Sequence, residues 1–139
     1  MSRTVTREIA FKLIFEYLFT KEVVNFDSPD FASFYGAELI SDDAEYLKKV
    51  YENVTQHYDE LIKIITDNLI GYTISRIYKT DLSVLILSTC ELMYMPEIPQ
   101  SVSINEAVEL SKRYSIDKSS GFINGVLAKI LSTLNGEKV

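Results

Sequence analysis

The chain is 139 residues long, 47% hydrophobic and 24% charged, the make-up of one globular domain over residues 1–139 with enough side chains to bury a core. One cysteine excludes an internal disulfide and suits a reducing cytoplasm. The longest apolar run, from Leu82 to Met95, is broken by Ser83, Ser88, Thr89 and Glu91, which excludes a membrane span.

The net charge of −6 opposes a generally nucleic-acid-binding surface, but it is unevenly spread. Residues 1–22 carry four basic and three acidic side chains and residues 112–139 five and two, against five and fifteen between them. Termini that meet in space would put a modest basic patch on an acidic body, and phosphate binding answers to local charge.

Met1–Ser2–Arg3 leads into the first helix without a secretory signal pattern. The spacing predicts that helix over Thr4 to Phe19, capped by Thr4 or Thr6, with Ala10, Leu13, Ile14, Tyr17 and Leu18 on its buried face. Glu8, Lys12, Glu16 and Thr20 form the wet face, with Glu8 and Lys12 placed for an i,i+4 pair. Arg7, Phe11 and Phe15 fall on the flank between. A cation followed by two rings suits single-stranded RNA; it equally suits the edge of a wide core.

Lys21–Ser41 mixes turn chemistry at Asn25, Asp27–Ser28–Pro29 and Gly36 with Phe31, Phe34, Tyr35 and Leu39, which fit a short helix. Asp42 and Asp43 open a helix to about His57, with Tyr46, Leu47, Val50, Tyr51 and Val54 along one side. Tyr58 to Leu69 continues as another, with Leu61, Ile62 and Ile65 apolar and Gly71 closing it. Ile74–Tyr78 reads as a short turn with Arg76 exposed.

Thr80 to Met95 is apolar on all sides, as the centre of a bundle would be, and Pro96 and Pro99 stop it. Ser103 and Glu106 fit a capping box for the next helix, whose stripe is Ile104, Ala107, Val108 and Leu110 and whose last turn holds Lys112 and Arg113. After a break at Ser115–Lys118, Ser119 or Ser120 caps a final helix with core face Ile123, Leu127, Ile130, Leu131 and Leu134. At about 100° per residue, Phe122 points to one side of that face, beside Lys118. It fits a base-stacking ring or a second packing contact.

These elements give an all-α protein of about seven helices in two small bundles sharing the central apolar helix. Catalytic chemistry is not expected. His57 has no second histidine to work with, Cys90 sits in the most apolar helix, and there is no phosphate loop, Cys-x-x-Cys or nucleophile elbow. Asp42 and Asp43 are too few for a metal site, and no cofactor is implied. Asn124–Gly125 inside a helix reads as a small-residue site for close packing.

Two blocks carry a resemblance. Ile104–Asn105–Glu106–Ala107 with Glu109–Leu110, then Phe122–Ile123–Asn124–Gly125–Val126–Leu127 with Lys129, resemble the C-terminal signature of the NusB transcription antitermination family, at the family's usual separation. The likeness is firm from about Asp81 onward and loose before it.

The resemblance implies a cytoplasmic factor that joins NusE, a small-subunit ribosomal protein, to bind single-stranded boxA RNA of nascent ribosomal transcripts within the RNA polymerase antitermination complex. It assigns RNA contact to Arg3, Arg7, Phe122 and Asn124, with Lys112, Arg113 and Lys118 added on charge. The NusE surface falls near Phe15, Tyr17, Arg76 and Asp81, the last where the family carries an acid. Thr4 and Val5 interrupt the family's basic run, Ile86 replaces a common arginine, and Lys118 stands where many relatives have an acid.

Arg7 and Phe122 are expected on one shared patch. A protein-only scaffold with weakened RNA contact, a homodimer, and the NusB-like domain that precedes some ribosomal RNA methyltransferases are the other roles. Ending at Val139 with no cofactor loop speaks against the last.

Overall fold

Among the described residues the helical periodicity is realised nearly throughout. The structure, a computed structural model, describes residues 3–26 and 41–136, without the side chains of residues 41 and 42. Phe31, Phe34, Tyr35 and Leu39 lie outside the described residues. Among those described, six α-helices follow in order: α1 (Arg3–Thr20), α2 (Ser41–Gln56), α3 (Tyr58–Asp67), α4 (Lys79–Tyr94), α5 (Gln100–Tyr114) and α6 (Ser119–Leu134), with a 3-10 turn at Ile74–Arg76.

α4 is the axis. Every residue from Asp81 to Glu91 is buried, and the helix packs against each of the other five. Leu85, Ile86 and Leu87 are fully enclosed, each worth about 1.5–3 kcal/mol of burial. The helix stops where the Met95 N–H closes the last turn on the Glu91 carbonyl, just before Pro96. On one side α4 carries α1, α2 and α3, and on the other α5 and α6, giving two bundles with a common member.

α2 buries Tyr46, Leu47, Val50, Tyr51 and Val54, the face its spacing predicts. α1 buries more than expected: Thr6, Arg7, Ile9 and Phe11 join Ala10, Leu13, Ile14 and Tyr17. Gly71 takes a left-handed backbone (φ 77°), but in the turn beyond the Asn68 cap of α3.

α5 begins at Gln100, with Pro99 at its N-cap, so Ser103 and Glu106 are inside the helix and form no capping box. Ser103 donates instead to Glu91, and Glu106 accepts from Thr4 of α1. Likewise Ser119 does not cap α6; its hydroxyl is turned to Asp81. The core face of α6 is Ile123, Val126, Leu127 and Ile130, with Leu131 and Leu134 half-buried. Gly125 is not a close-packing site: a Cβ placed there meets nothing within 4 Å.

Candidate nucleic-acid interface

Three places gather the residues singled out in the sequence. The first is internal. Arg7 is 3% exposed, and its Nε and one terminal nitrogen donate to the two oxygens of Glu91 at 2.9 and 3.0 Å. Tyr46 and Ser103 donate to the same carboxylate at 2.5 and 2.8 Å. Burial works against the Arg7 charge, but the Glu91 hydrogen bond and carboxylate outweigh it and raise the pKa of the guanidinium. Tyr46 is pushed well up, first by burial and then by the neighbouring Glu91 charge.

Arg7 is therefore a structural cation with no face toward a transcript, which corrects its assignment to RNA. Arg3 is different. It lies 4.3 Å over the Tyr46 ring and 3.8 Å from Asp43, with 40% of its side chain exposed.

The second place is a cavity of about 320 Å³ where the first turn of α6 faces the 72–78 segment. Phe122, half-buried, meets Tyr72 edge-on with centroids 5.1 Å apart. Exposed Tyr78, Ile116, Arg76 and Lys118 complete the rim, while Asp81 and Ser119 form the wall. The site thus offers ring faces and two cations at one opening. This is the chemistry for an unstacked base and its flanking phosphate.

The third place is a groove of about 230 Å³ between α1 and the end of α5, lined by Phe11, Lys12, Phe15, Thr80 and Tyr114. Phe15 is half-exposed, and Phe19, 62% exposed, extends the ring ladder one turn further. The groove is held in shape by Glu8, which accepts from the Tyr114 hydroxyl at 3.0 Å and pairs with Arg113. Glu8 is thereby taken from the expected Lys12 pairing, and Lys12 lies 5.7 Å over the Tyr114 ring.

The expected shared patch of Arg7 and Phe122 does not form. Arg7 is anchored at Glu91 near the end of α4 and Phe122 stands by Asp81 at its start, ten residues and about 15 Å of helix apart. Two partner residues are also displaced from the surface expected of them. Tyr17 is buried on the other side of α1, edge-on to Tyr51 and Tyr58, and so shares no surface with Phe15. Asp81 is 4% exposed and accepts from Ser115 and Ser119, so it is a wall rather than a free acid.

Arg76 belongs to the Phe122 cavity instead of the groove. Arg113 is occupied by Glu8, Lys112 is exposed 3.5 Å from Glu109, and Asn124 is exposed on the outer face of α6.

Comparison with known proteins decides the affiliation. A family model described as the NusB family matches residues 4–132. Over 131 residues the chain is 37% identical to transcription antitermination protein NusB of Clostridium novyi (strain NT), covering 94% of this chain and 98% of that protein. The chain belongs to the NusB family.

A second family member, from Finegoldia magna, is also 37% identical and covers 94% of both chains. The structure of T. maritima NusB superposes with a TM-score of 0.84 at 25% identity, covering 95% of this chain and 92% of that one. A structure described as antitermination factors NusB and NusE in complex with dsRNA matches at TM-score 0.80 and 24% identity, over 94% and 96%, a likeness of fold.

Residues that pattern alone passed over in this NusB-family chain are Glu91, Tyr72, Tyr114 and Thr80. Glu91 had a signal: a carboxylate in the middle of an apolar run, well past the first turn of its helix, must be paired if it is buried. Tyr72 and Tyr114 had none, because ring ladders across helices are not local in sequence.

Proposed function

We propose that this chain acts as a transcription antitermination factor in the cytoplasm, residues 1–139 working as one unit. With NusE it binds single-stranded boxA RNA and joins the RNA polymerase antitermination complex. Its work is assembly rather than catalysis. The observation that carries the RNA assignment is the cavity that brings Phe122 and Tyr72 together with Arg76 and Lys118. Lys112 and Asn124 are exposed enough to extend it, whereas Arg3 stands apart, over Tyr46 at the Glu91 end of α4. The Phe15 groove, apolar with one cation at its edge, is the proposed NusE seat, and it leaves open a homodimer through the same face.

A second reading is a protein-only scaffold, favoured by the loss of Arg7 to Glu91 and of Arg113 to Glu8. Titrating labelled boxA RNA with and without NusE, at two salt concentrations, separates the readings. RNA binding that tightens with NusE and weakens in salt supports the antitermination role; NusE capture with no gain in RNA affinity supports the scaffold.

In the same assay Phe122→Ala should weaken RNA binding by about 5- to 150-fold, the worth of one base stacked on a ring. The ring is half-buried, so the melting temperature should also fall, but by less than for a fully enclosed phenylalanine. Unchanged RNA affinity in a folded Phe122→Ala protein would remove the cavity from the RNA surface.

A further inference from the structure

Between the groove and the cavity runs a short chain of hydrogen-bonded hydroxyls that takes part in the wall of each. Thr80, in the groove wall, has its Oγ1 3.3 Å from Ser115 Oγ. Ser115 Oγ donates to Asp81 Oδ1 at 2.6 Å, and Ser119 Oγ donates to Asp81 Oδ2 at 2.9 Å; both Asp81 and Ser119 line the cavity. The two serine oxygens are 2.9 Å apart.

Each serine has one proton, so both bonds to Asp81 and a bond between the serines cannot be made together. Thr80 donating to Ser115 lets both serine protons go to Asp81, and the chain then has one direction from groove to cavity. Ser115 also sits at a joint. Its neighbours Arg113 and Tyr114 are tied to Glu8 of α1, and the loop it opens carries Ile116 and Lys118 to the cavity rim and leads into Phe122.

We propose that Ser115 is a positioning residue that couples the partner groove to the RNA cavity, so that occupying one site orders the other. The inference rests on the functional reading above. A partner seated against Phe15, Thr80 and Tyr114 immobilises the end of α5 and the Thr80 hydroxyl. The Ser115–Asp81 bond, already formed in the free chain, is then fixed in place, and the loop bearing Lys118 has less freedom to lose when RNA arrives. By linkage, RNA tightens the partner by the same factor.

The test is a binding cycle on the full chain: boxA RNA affinity with and without saturating NusE, for wild type, Ser115→Ala and Ser115→Thr. Ser115 lines neither cavity, and its backbone is extended, a conformation threonine accepts. Wild type should gain about tenfold in RNA affinity from NusE, within the usual range for coupled sites. Ser115→Ala should bind RNA alone and NusE alone within about threefold of wild type, yet gain about twofold or less; Ser115→Thr should restore the gain.

A folding defect lowers the RNA affinity of the chain alone, while saturating NusE, which binds only the folded chain, restores the folded fraction, so a purely structural role raises the apparent gain and never abolishes it. A wild type with no gain overturns the functional reading and this inference with it. A wild-type gain that Ser115→Ala retains overturns this inference alone.

Discussion

Four donors from three other helices converge on the Glu91 carboxylate: two from Arg7, one from Tyr46 and one from Ser103. A charge pair taken so far from water gains little over a well-packed apolar pair, but breaking it strands the remaining charge. Arg7→Ala should therefore destabilise the fold by about 3–5 kcal/mol, read from urea denaturation midpoints. Arg7→Met combined with Glu91→Leu should recover part of that loss, since no buried charge then remains but the Tyr46 and Ser103 hydroxyls lose their acceptor. Should Arg7→Ala instead lose under about 1 kcal/mol while RNA affinity collapses, the guanidinium would belong to the transcript surface after all. Lysine is no substitute here, because one ammonium cannot span both oxygens as the planar fork does.

Among the elements, α6 shows how an exposed glycine separates stability from function. Gly125 lies mid-helix with open space around its missing Cβ, and Asn124 beside it is exposed. Gly125→Ala should raise stability by about 0.5–1 kcal/mol, seen as a higher melting temperature, because alanine loses less backbone freedom in a helix. RNA affinity tested on the same variant tells whether nucleic acid approaches this face: unchanged binding confines the contact to the Phe122 end.

α4 was legible from the sequence because an all-round apolar segment has only one place to go, and α2 because its stripe has a clean helical period. The start of α5 was not, since a serine three residues before a glutamate looks the same whether the pair caps a helix or reaches across to another. Glu91 and Thr4, far away in sequence, decided which. The same holds for Ser119, which pattern offered as a cap and Asp81 claimed. The Phe122 ring was legible as off the core face, but its neighbours Tyr72 and Arg76 arrive from a turn some fifty residues earlier, and no local spacing could pair them.

For the molecule as a whole, what matters is how many of its cations remain free. The chain holds 14 lysines and arginines against 20 acids, and several of the former are already engaged: Arg7 by Glu91, Arg113 by Glu8, Lys49 by Glu97, Lys63 by Asp67. At the proposed RNA surface Arg76 and Lys118 stand at the cavity rim, while exposed Lys112 and half-exposed Arg3 are themselves paired, with Glu109 at 3.5 Å and Asp43 at 3.8 Å.

Single-stranded nucleic acid releases about 0.7 counterion per neutralised phosphate, so two to four such contacts predict a slope of log K against log salt of about −1.5 to −3 without NusE. Between 50 and 200 mM salt this is a loss of about 8- to 60-fold. Replacing Arg76 and Lys118 together by glutamine should flatten the slope by about 1.4. A slope steeper than about −4 would require more phosphate contacts than these cations supply and would mean that Arg113 or Arg7 leaves its carboxylate to meet the RNA. A slope indifferent to the double replacement would move the phosphate path off the cavity rim, leaving Phe122 without the cations that make its ring a nucleic-acid platform.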